Sequence, residues 1–239
     1  MTLANEREYI EAMQADAELR TLRSQVYTAI AKYRYTYNFN WLGRPIIQLP
    51  EDVLTMQEII WRVRPRLIIE TGVAHGGSLI FSASMLELLG EGEVVGIEID
   101  LRPHNRQAIE THQLSKRIKL IEGSSIEANV IAQVRLLAKD KQPVMVFLDS
   151  NHTHDHVLRE LELYSPLVGK DSYLVVFDTG IEDMPDGAYP DRPWGKGNNP
   201  KTALHEFLKS NSRFEIDRDL EARLLYTVAP DGYLRCVKD

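Results

Sequence analysis

The sequence predicts an α/β fold built on a doubly wound, mostly parallel sheet in a single domain, and three observations predict it. Short apolar runs alternate with helical patterns at a period of roughly thirty residues, the rhythm of parallel strands joined by crossover helices. The first run of that series, Leu67, Ile68 and Ile69, leads straight into a glycine-rich turn that opens a helix. Near the end the rhythm tightens into closely spaced strands around an Asp231-Gly232 turn, which predicts a closing antiparallel hairpin.

In chain order, residues 5–35 read as helix, with Tyr9, Ile10 and Met13, then Leu19, Leu22, Val26 and Ile30, on apolar faces. The stretch YRYTYNFNWLGRPIIQLPEDV, residues 33–53, is rich in Tyr, Asn and Trp, is broken by Gly43, Pro45 and Pro50, and reads as irregular structure whose aromatic residues can roof a ligand but more often simply pack. An amphipathic helix over 51–64 then leads through Pro65 into the first core strand. Strands follow at 67–70, 94–99, 118–121, 144–148 and 173–177, separated by helices at 79–89, 103–114, 126–139 and 154–164. Ser78 is expected to cap the helix after the glycine turn. Residues 178–201 are too long and too rich in Gly, Pro and Asp for a simple connection, and read as a lid or acceptor wall. Asn199 and Pro200 start a last long helix, and 214–216, 224–228 and 233–237 read as strands. The division is a helical arm and covering segment over 1–64 and a core over 65–239.

Composition narrows the function. At 239 residues and 44% hydrophobic the chain can bury one substantial core. A net charge of −7 leaves no basic surplus for a phosphate backbone, so a nucleic-acid partner is not expected. The single cysteine, Cys236, excludes an intramolecular disulfide and a multi-cysteine zinc knuckle. The N-terminal stretch is charged throughout and no run approaches a membrane span, so a cytoplasmic protein without a membrane partner is expected. The amphipathic arm suggests a homo-oligomer.

In an open parallel sheet, ligands sit beyond the carboxyl ends of the strands, and here those ends are acidic. Glu70, Glu98, Asp149 and Asp178 close four strands. The turn Gly72-Val-Ala-His-Gly76-Gly77 has neither the spacing of a dinucleotide fingerprint nor the Lys of a phosphate loop, which disfavours pyrophosphate. Glu98 stands where a carboxylate accepts ribose hydroxyls, and Ser124 and Ser125 offer small polar groups beside a base. Asp149 and Asp178 end adjacent strands and suit one hard cation. His152, three residues past Asp149, is placed for a general base. Trp194, Asn198 and Asn199 are available to an acceptor, while Asp183 and Asp186 read as solvated acids. The cluster His152, His154, Asp155 and His156 offers a rival reading, a zinc hydrolase, although it is one residue short of the usual hydrolase spacing. A non-catalytic cofactor-binding partner is the other alternative.

The segments RPRLIIETGVAHGGSL, VVGIEID, EGSS, VFLDSNH and VVFD, in this order, resemble the cephalosporin hydroxylase family. That family is similar to magnesium-dependent class I S-adenosylmethionine methyltransferases and includes rhamnosyl O-methyltransferases. The resemblance implies a seven-stranded Rossmann-like sheet, S-adenosylmethionine and Mg²⁺ as cofactors, and a small-molecule or glycan hydroxyl as acceptor. It implies a cofactor site made of Glu70, Gly72, Ala74, Gly76, Gly77, Ser78, Glu98, Ser124, Ser125 and Asp149. The metal would sit on Asp149 and Asp178 with Thr179 as a further candidate, and Asp149 and His152 would carry the catalysis.

Overall fold

A computed structural model of the chain describes residues 6–239, so the expected helix start at residue 5 lies outside the described residues. The arm is two helices rather than one, α1 (Glu6–Ala15) and α2 (Ala17–Ala31). Asp16 divides them, because its side chain accepts from the Leu19 amide and caps the second helix. The next segment is not irregular as expected. It forms a ribbon of β1 (Phe39–Trp41) and β2 (Arg44–Ile46), turned at Leu42 and Gly43, both at positive φ. That two-residue turn matches the twist of the strands it joins.

The core follows as α3 (Pro50–Val63), β3 (Leu67–Thr71), α4 (Gly77–Leu89), β4 (Glu93–Glu98), α5 (Pro103–Glu110), β5 (Ile118–Glu122), α6 (Ala128–Ala138), β6 (Val144–Leu148), α7 (His154–Tyr164), β7 (Tyr173–Val176), α8 (Pro200–Ser210), β8 (Phe214–Ile216), α9 (Arg218–Glu221) and β9 (Tyr233–Cys236). The seven strands of the main sheet lie in the order β5-β4-β3-β6-β7-β9-β8, parallel except for β9, which runs antiparallel to both neighbours. Both faces are covered, so strands such as β3 and β6 are buried along their whole length and read as continuous apolar runs. Alternate side chains feed two cores. Ile68, Met145 and Phe147 meet α3 and α4, whereas Leu67, Ile69 and Val146 meet α6, α7 and α8.

The expected strand over 224–228 is absent, and polar chemistry explains it. The Tyr226 amide donates to Glu51 at 2.7 Å and the Val228 amide to Asp52 at 2.9 Å, so carboxylates at the start of α3 take the bonds a ladder would have used. The closing antiparallel pair is therefore β8 with β9, joined by a longer connection that carries α9. From β3 the chain winds outward through β4 and β5, then returns to add β6 and β7 on the other side. The crevice between β3 and β6 is the switch point where such sheets bind ligands.

Candidate functional site

A cavity of about 1200 Å³ opens at this switch point. Its floor is the turn after β3, with Glu98, Ser125, Asp149 and Asp178 around it. Tyr27 and Ile30 of α2 lie over it from the arm, and Tyr189 and Trp194 wall it from the segment before α8.

The glycines of the turn are demanded by the protein's own backbone. A Cβ on Gly72 would lie 2.0 Å from the Asp149 carbonyl oxygen, and one on Gly77 would lie 2.1 Å from that of Pro45. Gly72 thus lets the ends of β3 and β6 close together, and Gly77 lets β2 lie on α4. Gly76, at φ 82°, precedes the helix as its cap, and a Cβ there would strike Ile109. Ser78 does not cap α4 as expected, because its hydroxyl donates to Glu70 instead. Glu70 is buried, its Oε2 has no partner, and burial lifts its carboxyl from the usual range to about 8, the Ser78 bond opposing. Glu98 braces the turn: its Oε2 accepts from the amides of Val73 and Ala74 at 2.9 and 3.0 Å.

Asp149, His152 and Asp178 converge, each offering a ligand atom within 4.8 Å of the others. His152 Nε2 stands 3.3 Å from Asp178 Oδ2, and its ring meets the edge of Trp194 at 4.8 Å between centroids. Burial holds the Asp149 carboxyl well above its usual range, and the charges of Asp178, Glu70, Glu160 and Glu98 add to the effect. An enclosed carboxyl crowded by other acids is a setting that a divalent cation relieves. Asp178 sits at φ 55°, a left-handed conformation in which the chain turns sharply off β7.

Other expected positions stand elsewhere. Thr179 is fully buried, its hydroxyl donates to the Pro230 carbonyl at 2.7 Å, and it is not on the cavity wall, so it is no candidate for a metal ligand. The three histidines after Asp149 do not form a zinc cluster. His154 pairs with Thr202 at 2.8 Å and Glu206 at 3.4 Å, whereas His156 Nε2 lies 3.0 Å from Ser125 Oγ and 3.3 Å from Ser150 Oγ. Asn199 is buried in the capping box of α8, and Asn198 binds the His154 amide and the Pro193 carbonyl, so neither side chain is free for an acceptor. Asp183 pairs with Lys201 and Asp186 with Lys196. Ser124 and Ser125 lie on the cavity wall.

A family model described as Rhamnosyl O-methyltransferase/CmcI matches residues 33–237. The chain belongs to this family. The match takes in the ribbon, the glycine turn, the Asp149, His152 and Asp178 cluster and the closing antiparallel pair. A relative from Mycobacterium leprae, "Rhamnosyl O-methyltransferase", is 31% identical over 202 residues, 81% of each chain. A solved CmcI structure, "cmcI-D160 Mg-SAM", superposes with a TM-score of 0.60 at 18% identity, covering 84% of this chain and 77% of the other. An O-methyltransferase from Bacillus cereus, solved in complex with SAH, gives 0.56 at 17% identity over 97% and 96%. Membership in the rhamnosyl O-methyltransferase/CmcI family makes the chain an O-methyltransferase by class, on a class I methyltransferase fold.

Several wall residues of this family member escape sequence reasoning. Tyr27 reaches the cavity from a helix whose heptad-like spacing only marks it as amphipathic, and Gln48 and Tyr189 come from segments with no periodic signal. Glu160, fully buried, accepts from Ser150 at 2.7 Å and stands 3.7 Å from His156. Its place one helical turn past His156 was the available signal.

Proposed function

We propose that the protein is an S-adenosylmethionine-dependent, divalent-metal-dependent O-methyltransferase acting on a hydroxyl of a sugar, glycan or secondary metabolite. The convergence of Asp149, His152 and Asp178 on the cavity floor carries this reading. The residues present fit both groups: the unpartnered Glu70 Oε2 under the glycine turn suits a cationic donor, and two carboxylates beside an imidazole suit a divalent ion. The Mg and S-adenosylmethionine held by the CmcI structure point the same way. Glu70 and the turn would hold the donor's amino-acid end, Glu98 its ribose and Ser124 and Ser125 its base.

When bound, the ion lowers the pKa of an acceptor hydroxyl and the sulfonium supplies the methyl group, giving a methyl ether and the thioether product. Asp149 and Asp178 would hold the ion beside the switch point. His152 would take the hydroxyl proton, its ring packed in a T-shaped pair with Trp194. Tyr27, Tyr189 and Trp194 cover the site, exclude water and offer flat faces to an acceptor ring. The rhamnosyl relatives make a 6-deoxyhexoside the first acceptor to try. Mass spectrometry after incubation with S-adenosylmethionine, Mg²⁺ and a panel of deoxysugar glycosides should show a gain of one methyl group. Failure to bind either the donor or its demethylated product would remove the reading.

A further inference from the structure

Gln48 Oε1, on the cavity wall, is a buried acceptor oxygen that lacks a donor, and Glu70 Oε2, near the end of the strand that leads into the glycine turn, is another. Gln48 is only 3% exposed, yet it is on the cavity wall together with Gly77 and Ser78. Its place is fixed by backbone contact. Gln48 follows β2 by two residues, and β2 lies so close to the start of α4 that a Cβ on Gly77 would strike the Pro45 carbonyl at 2.1 Å. Glu70 stands near the end of β3, before the same turn and off the cavity wall, and its other oxygen is taken by the Ser78 hydroxyl.

The neighbours Ile47 and Leu49 also line the cavity, so an apolar side chain at 48 would have completed this wall. An amide kept there with its oxygen dry is costly unless something donates to it. An ammonium brings three donors and no acceptor, which is the complement of an orphaned amide oxygen.

We propose that Gln48 is a binding residue for the amino-acid end of the methyl donor, its Oε1 accepting from the α-ammonium. The assignment rests on the methyl-donor reading above. It does not involve the metal cluster or the acceptor.

Calorimetry on the full chain with two probes tests it. S-adenosylhomocysteine carries the ammonium, and 5′-methylthioadenosine is the same nucleoside without the amino-acid end. Gln48→Leu and Gln48→Met should each weaken S-adenosylhomocysteine about tenfold or more, with methylthioadenosine unchanged. Gln48→Glu, which restores an acceptor, should bind S-adenosylhomocysteine at least as well as either apolar variant. Unchanged S-adenosylhomocysteine affinity in Gln48→Leu overturns the proposal, as does equal weakening of both probes, which means the residue only supports the fold. If the unaltered chain binds neither probe, the methyl-donor reading itself fails and the assignment falls with it.

Discussion

Glu98, Asp149 and Asp178 line one cavity with carboxyls while Glu70 is buried near the end of β3, and each is held differently. Glu98 is satisfied by turn amides, Glu70 is dry and raised to about 8, and Asp149 is crowded by like charge. The dry Glu70 sets a pH dependence of stability. Its folded pKa lies above the unfolded value of about 4.5, so between these values the folded chain binds the extra proton. The penalty of ionising it is absent below about 4.5 and full above about 8. Thermal unfolding of the ligand-free protein should therefore show stability falling as pH rises through that window, and Glu70→Gln should flatten the fall. At the metal cluster, Asp149→Asn should weaken binding of Mg²⁺ or Mn²⁺ and remove most turnover, since a neutral amide gives up charge that a hard cation needs. His152→Ala should keep donor and metal binding while turnover drops roughly 10²- to 10⁴-fold, and wild-type turnover would remove histidine from the mechanism. The acids were legible in the sequence because strand ends in a parallel sheet converge on one rim. Thr179 and Gln48 were not, since a hydroxyl one residue past a ligand can turn either way and a glutamine in the short link between β2 and α3 has no pattern around it.

Elements around the site are tied by polar side chains rather than by ladders alone. Asn199 caps α8, accepts from the Lys201 and Thr202 amides, and donates to the Gly195 carbonyl at 2.8 Å and to Glu182. It thereby fastens the segment that carries Trp194 to the helix behind it. Asn199→Ala should cost about 1–2 kcal/mol by chemical denaturation, the range of a lost N-cap, and should raise proteolysis within residues 184–198. An unchanged denaturation midpoint would show that the cap contributes nothing. The strand and helix series from Leu67 to Val176 was readable because its apolar periods are unbroken. The tail was not, because the residues over 224–228 have strand-like composition while their amides are claimed by Glu51 and Asp52, some 175 residues away in sequence. The ribbon at 39–46 was hidden for a related reason: its turn uses Leu42 at φ 44°, a residue that seldom marks a left-handed turn.

Across the whole molecule, the arm both roofs the cavity and leaves apolar surface outside. Tyr27 and Ile30 pack on the core, whereas Tyr9, Leu22 and Val26 remain exposed at 61%, 48% and 40%. Among the described residues no helix is long and apolar enough to cross a membrane. Light scattering on the full chain should show self-association through this face, and Leu22→Asp with Val26→Asp should return it to a monomer. A full chain that is monomeric at micromolar concentration would assign the arm to the roof alone. The central claim joins the glycine turn and the carboxylate pair in one catalytic site, and a crystal structure grown with S-adenosylhomocysteine and Mn²⁺ tests it most directly. The account predicts the nucleoside beside Glu98 and Ser125, the amino-acid end over the Gly72 to Ser78 turn, and an anomalous manganese peak touching Asp149 and Asp178. A ligand-free cavity at saturating cofactor, or manganese bound away from both carboxylates, would contradict it.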